Sequence, residues 1–238
     1  MISLVTKEAD SGAGVDEVHT WDARLDWAYG LIADDPSERT AALARLTIAK
    51  RNVGDALMQF NNVWSSTQSP GRQLHYRDPA LQQAIEVHRD AARHSLPDAL
   101  WNRRCADIRE WPGLPYALLF LEWEARYPQA WTQHAKKWGT KEDLLRDMAV
   151  AGHNKIVRAK LTDLIEIVIQ RPYRCKDRDY VRVARAVDSA DLRERLGTAA
   201  ESDNPWARRH AGYVLWLLDR PELPNSLHVW RKWIGLPR

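Results

Sequence analysis

Asn154–Pro172 reads NKIVRAKLTDLIEIVIQRP, and Asn204–Pro221 reads NPWARRHAGYVLWLLDRP. Both place an Asn ahead of a helix start, an Arg four residues on, a long apolar run and a closing Arg-Pro. Asn suits an N-cap because its short side chain accepts from the free amides of the first turn, and Pro cannot continue a helix interior. Each stretch follows a shorter amphipathic one, Lys141–Val150 and Ala190–Ala200. Two such helix pairs, about fifty residues apart, predict an all-α, single-domain helical repeat array, in which each unit buries its apolar face by stacking on its neighbour.

Helix starts of the same kind occur upstream. Asp35-Pro36 predicts a helix whose apolar face, Leu43, Leu46, Val53, Leu57, Phe60 and Trp64, runs to Trp64 with a kink at Gly54; Asp78-Pro79 opens one to about His94, and Pro97-Asp98 another to about Trp111. An earlier helix is expected over Val18–Ala33. WPGLP, Trp111–Pro115, is a break, after which PYALLFLEWEARY and PQAWTQHAKKW are each launched by proline. Ser65–Arg77 is the longest expected loop, RPYRCKDR at Arg171–Arg178 separates the two repeat units, and Ser226–Ile234 forms a short last helix. Residues 1–14, ending in SGAG, predict a flexible tail before a helical domain spanning 15–238.

The composition, 45% apolar and 28% charged, is that of an ordinary globular chain. No apolar run approaches the roughly eighteen residues that suggest a membrane span, so no membrane partner is expected. Cys105 and Cys175 are distant and unlike in context, which argues against a disulfide framework and makes a reducing cytoplasm the expected compartment. Net charge is +3 but uneven, with 18 Lys+Arg against 21 Asp+Glu up to Asn154 and 17 against 11 beyond it. The C-terminal part is therefore expected to present the basic surface. Twelve Trp against two Phe make Trp the main large aromatic of the core, with stacking platforms as the alternative use.

AESDNPWARRHAGYVLWLL, residues 200–218, resembles a HEAT-repeat unit, whose second helix follows an acidic turn and carries an Arg near its start. With the stretch from Tyr127-Pro128 to Lys137-Trp138, it is similar to the HEAT-like alkylpurine DNA glycosylases. That resemblance implies a DNA-binding concave face and a Trp followed four residues later by a catalytic Asp. Here Trp111 is followed by Pro112, Gly113, Leu114 and Pro115, and Trp21 by Asp22 and Asp26 with Leu25 at the fourth position. No catalytic residue carries over, and the expected protein is non-catalytic.

Aligned at Asn154 and Asn204, the repeats make Arg158 equivalent to Arg208, either a structural bond to a turn or a phosphate contact. Lys160, Asp163, Glu166 and Gln170 form a polar stripe whose equivalents are His210, Tyr213, Trp216 and Arg220. The run RPYRCKDRDYVRVAR concentrates Arg171, Arg174, Lys176, Arg178, Arg182 and Arg185 around Tyr173 and Tyr180, the mixture a phosphate backbone with splayed bases needs. Glu86, Asp90 and His94 share a helix face, Cys175 lies between two cations, and Cys105 has core spacing; none of these predicts a metal or a nucleophile.

These readings converge on a binding protein for nucleic acid, its C-terminal groove formed by Arg171, Tyr173, Arg174, Lys176, Arg178, Arg182, Arg208, Arg209, Tyr213 and Trp216. A protein or peptide scaffold is the alternative, and a glycosylase-like enzyme the third reading. No cofactor is expected.

Overall fold

The computed structural model describes residues 16–67, 78–101 and 107–235. Every regular element among them is helical, and the fold is all-α. The expected tail at 1–14, most of the expected loop before Asp78 and Cys105 lie outside the described residues.

The N-terminal part contains α1 (Asp16–Leu25), α2 (Pro36–Thr67) and α3 (Pro79–Arg93). The single helix expected over Val18–Ala33 gives way after Leu25 to a 3-10 segment, Asp26–Ile32. α2 passes Gly54 without interruption and pairs with α3 as a long hairpin. Asp35 accepts from the Ser37 amide at 2.9 Å, and Asp78 from the Ala80 amide at the same distance, so each carboxylate caps the helix that its neighbouring proline begins.

At the two described ends of the helix expected from Pro97 to Trp111 there are 3-10 turns, Asp98–Leu100 and Ile108–Glu110, and residues 102–106 lie outside the described residues. Side chains compete with helix formation at both. The Ser95 hydroxyl donates to Asp98 Oδ2 at 2.9 Å, and Asp107 accepts from both the backbone and the guanidinium of Arg109.

α4 (Leu114–Arg126) is the centre of the molecule, buried along nearly its whole length. Around it lie α5 (Pro128–His134), α6 (Trp138–Met148), α7 (Lys155–Ile169), α8 (Tyr180–Ala186), α9 (Ala190–Glu201), α10 (Pro205–Leu218) and α11 (Leu227–Ile234). A continuous apolar core runs from Trp21 to Val229. Tryptophan fills much of it. Trp21 meets Trp111 edge-on at 5.4 Å and stacks on Tyr116 at 5.8 Å, while Trp131 lies between Phe120 at 5.5 Å and Trp138 at 4.6 Å. The Tyr116 hydroxyl donates to Asp22 at 2.8 Å, which gives that carboxylate a structural partner.

Both expected repeat caps form. Asn154 Oδ1 accepts from the Val157 amide and Asn204 Oδ1 from the Trp206 amide. Asn204 Nδ2 also donates to the Gln170 carbonyl at 2.7 Å, tying the start of α10 to the end of α7. The two pairs pack differently, however. α9 and α10 form a close hairpin, whereas α6 rests chiefly on α8 and α7 chiefly on α4. The cause is α8, which lies within the stretch read from the sequence as a basic loop. Its Tyr180, Val181, Val183 and Ala184 are all buried, so this short amphipathic helix, not α7, covers α6.

Gly113 is the tightest point of the tryptophan cluster, because a Cβ there would lie 2.5 Å from the Trp111 ring and 2.7 Å from the Trp21 ring. Gly113→Ala is therefore expected to destabilise the protein by about 1–3 kcal/mol, the usual cost of overpacking, as measured by urea denaturation.

Candidate functional site

The Arg171–Arg178 segment is organised by a carboxylate in the last turn of α4. Glu124 is fully buried, as is Lys141 of α6, and Lys141 Nζ donates to Glu124 Oε2 at 2.9 Å and to Asp177 Oδ1 at 2.6 Å. Arg171 bridges the same two acids, with Nη2 2.9 Å from Glu124 and Nη1 2.8 Å from Asp177. The backbone amide of Arg174 donates to Asp177 at 2.7 Å, and its Nε lies 2.9 Å from Glu124 Oε1 without hydrogen-bond alignment. Its Nη2 donates to Thr132 at 2.6 Å.

Three cations thus face two carboxylates. The excess positive charge meets aromatic faces: Lys141 Nζ is 5.6 Å from both the Trp138 and Tyr180 rings, and the Arg174 guanidinium is 5.4 Å from Trp138. Burial, and then the charges of Glu124 and Asp177, push the Tyr180 hydroxyl well above its ordinary pKa.

This arrangement corrects the expectation that the whole segment presents its cations to a phosphate backbone. Arg171 and Arg174 belong to the internal network. Lys176, at φ 68°, pairs with Glu142 at 2.5 Å and holds that carboxyl below its ordinary pKa by the hydrogen bond it donates. Arg182 lies 3.7 Å from Asp179. Arg185 donates to the carbonyls of Leu217, Arg220 and Leu223, capping the end of α10. The polar stripe on α7 is likewise engaged: Lys160 pairs with Glu122, and Arg195 of α9 holds Asp163 at 2.8 Å and Glu166 at 2.9 Å.

Beside the network, α7, α8, α10 and α11 enclose a pocket of about 390 Å³. Ile165, Val168 and Ile169 form one wall, and Tyr180 and Val181 another. His210, Tyr213, Val214, Leu227 and Trp230 complete it, while Tyr173, Arg178, Trp206 and Arg209 also line it and reach solvent. Tyr213 meets Trp230 edge-on at 4.6 Å, its hydroxyl donates to Asn225, and Asn225 Nδ2 donates to the Arg178 carbonyl at 2.6 Å. One hydrogen-bonded chain therefore ties the aromatic wall to the segment beside the buried network.

His210 Nδ1 lies 3.3 Å from the Ile169 carbonyl. Burial, the largest effect, holds its pKa below the ordinary value, so the ring is neutral at pH 7, with Nδ1 as donor and Nε2 as acceptor.

Tyr173 is 56% exposed and Trp206 39%, unusual values for large aromatics beside an apolar pocket. Arg209 lies over the Trp206 ring at 6.0 Å. Arg178, Arg208 and Arg209 are exposed, and none makes an ion pair within the described residues; Arg158 shares that state on α7. The pocket thus gathers Tyr173, Arg178, Arg209 and Tyr213 from the residues singled out in sequence, with Arg208 adjacent on α10. Trp216 is partly buried beneath Arg220. Trp206 and Trp230 are the functional candidates that sequence reasoning missed. The signal for the first was a Trp directly after a capping Asn-Pro, and for the second the amphipathic run HVWRKW.

Elsewhere, Glu86 pairs with Arg89, and His94 Nδ1 meets the Asp90 carbonyl. Among the described residues, no three His, Cys, Asp or Glu side chains are grouped closely enough to hold a metal. No helix there is long and apolar enough to cross a membrane. Comparison with family profiles, characterised proteins and solved structures finds no match to this chain.

Removing Glu124 strands three cations against Asp177 alone, whereas removing Lys141 leaves two charges of each sign. Glu124→Gln is therefore expected to cost about 3–5 kcal/mol in chemical denaturation, with Lys141→Met costing less. For His210, the folded pKa is below the unfolded value of 6.5, so the stability linked to it is present above about pH 6.5 and lost as pH falls through the depressed folded value. Between about pH 7.5 and pH 5, the wild-type protein should lose more unfolding free energy than His210→Gln does.

Proposed function

We propose that the protein is a non-catalytic nucleic-acid-binding protein that holds the phosphate backbone on the rim formed by Arg178, Arg208 and Arg209. The observation that carries this reading is the exposure of three arginines without carboxylate partners beside the exposed rings of Trp206 and Tyr173. Each cation on a phosphate releases condensed counterions, and an adjacent aromatic face adds stacking that tolerates any base. The likeness of residues 200–218 to a HEAT-repeat helix adds support, because the hairpin bearing it carries two of these arginines.

In fluorescence anisotropy with labelled single-stranded and duplex DNA and RNA, affinity should fall with salt. Three phosphate contacts on a single strand give a log–log slope of about −2. Changing Arg178, Arg208 and Arg209 together to Glu should abolish binding with an unchanged circular dichroism spectrum, while Arg182→Glu should leave it nearly intact. Absence of binding at low salt, or a slope near zero, contradicts the proposal.

A protein partner is the second reading, and it rests on the other end of the molecule. A groove of about 970 Å³ lies along α2 and α3, lined by Ile48, which is 55% exposed, by Asp55, Glu86 and Asp90, and by Arg24, Arg45 and His94. Exposed apolar surface flanked by charges of both signs suits an amphipathic helix.

A further inference from the structure

We infer that the pocket beside the arginine rim receives one unpaired base of the bound strand and grips it chiefly by ring face and shape. This inference rests on the nucleic-acid reading above. Arg178 and Arg209 contribute both to the rim and to the pocket lining, so a nucleotide whose phosphate they hold has its base within reach of the cavity. At about 390 Å³ the cavity falls within the range of sites for small organic ligands. Tyr213 and Trp230, locked edge-to-face, offer aromatic surface, and Val168, Val181 and Val214 offer apolar surface.

Several polar groups of the lining are already engaged within the protein. Both Asp177 oxygens already accept from Lys141, Arg171 and the Arg174 amide. The Tyr213 hydroxyl is held by Asn225, and His210 Nδ1 faces the Ile169 carbonyl. The Tyr180 hydroxyl is buried without a hydrogen-bond partner, and His210 Nε2 is left as an acceptor. The unpaired charged donors of the lining, the Arg178 and Arg209 guanidiniums, are the groups assigned to phosphate, and the apolar remainder favours an uncharged ring, which every base supplies at neutral pH. In a duplex both ring faces are stacked, so only an unpaired or everted base can enter.

The test uses the full chain and short strands of sugar and phosphate carrying a single base at the centre, compared with the same strand lacking all bases. Each one-base strand should bind about tenfold more tightly than the baseless strand, the gain expected from one stacked base. The four bases should agree within about threefold. Val181→Phe, which fills the cavity, should remove the tenfold advantage but retain salt-dependent binding of the baseless strand. Should that variant misfold, Trp230→Ala, which opens the wall, should remove it instead.

Equal binding of one-base and baseless strands overturns base capture while leaving backbone binding intact. A preference above tenfold for one base overturns a grip made chiefly by ring face and shape. Persistence of the advantage in a folded Val181→Phe or Trp230→Ala variant overturns the assignment to this pocket. Failure of every strand to bind at low salt overturns both this inference and the nucleic-acid reading.

Discussion

Glu124 is a fully buried carboxyl side chain in the last turn of the most buried helix, and the arrangement of the C-terminal half follows from the need to compensate it. A buried carboxylate without partners is too costly to retain. Lys141 reaches it from α6, and Arg171 and Arg174 reach it from the segment after α7; Asp177 then joins to balance them. These contacts fix the path of residues 171–179 and, directly after them, the start of α8. Asp177 and Tyr180 also line the pocket, so the same interactions that satisfy the core position one side of the candidate site.

The network also sorts the arginines. Net basicity of a segment measures neither surface potential nor ligand affinity, because cations consumed by internal acids contribute little outside. Arg171 and Arg174 turn inward, Lys176 is neutralised by Glu142, and Arg185 caps a helix. Arg178 is left facing solvent and lines the pocket together with Arg209. The basic surface is consequently smaller than the sequence suggests, and it coincides with the exposed aromatics.

Much of the helical framework is legible in sequence because its signals are local. Asp78-Pro79, Asn154, Asn204 and Ser226 each cap the helix expected from them, and the core role read for tryptophan holds for Trp21, Trp111, Trp123 and Trp131. Long-range features are not legible. Nothing in PYALLFLEWEARY distinguishes Glu124 as the buried partner of a segment about fifty residues away, and α8 is hidden because its alternating arginines resemble a solvated loop until Val181 and Val183 find α6. The candidate site divides in the same way. Tyr173, Arg178 and Arg209 stand out by residue type, whereas the contribution of Trp230 depends on how α11 folds back beside α10.

The central claim, that ligand meets the protein at this aromatic pocket and arginine rim, is tested most directly by hydroxyl-radical footprinting of the full chain with and without a single-stranded oligonucleotide. The exposed rings of Tyr173 and Trp206 should lose reactivity in the complex, while Trp101, 72% exposed, and Tyr29, 41% exposed, retain theirs. Unchanged Tyr173 and Trp206 reactivity in a formed complex, or protection confined to Trp101 and Tyr29, would contradict it.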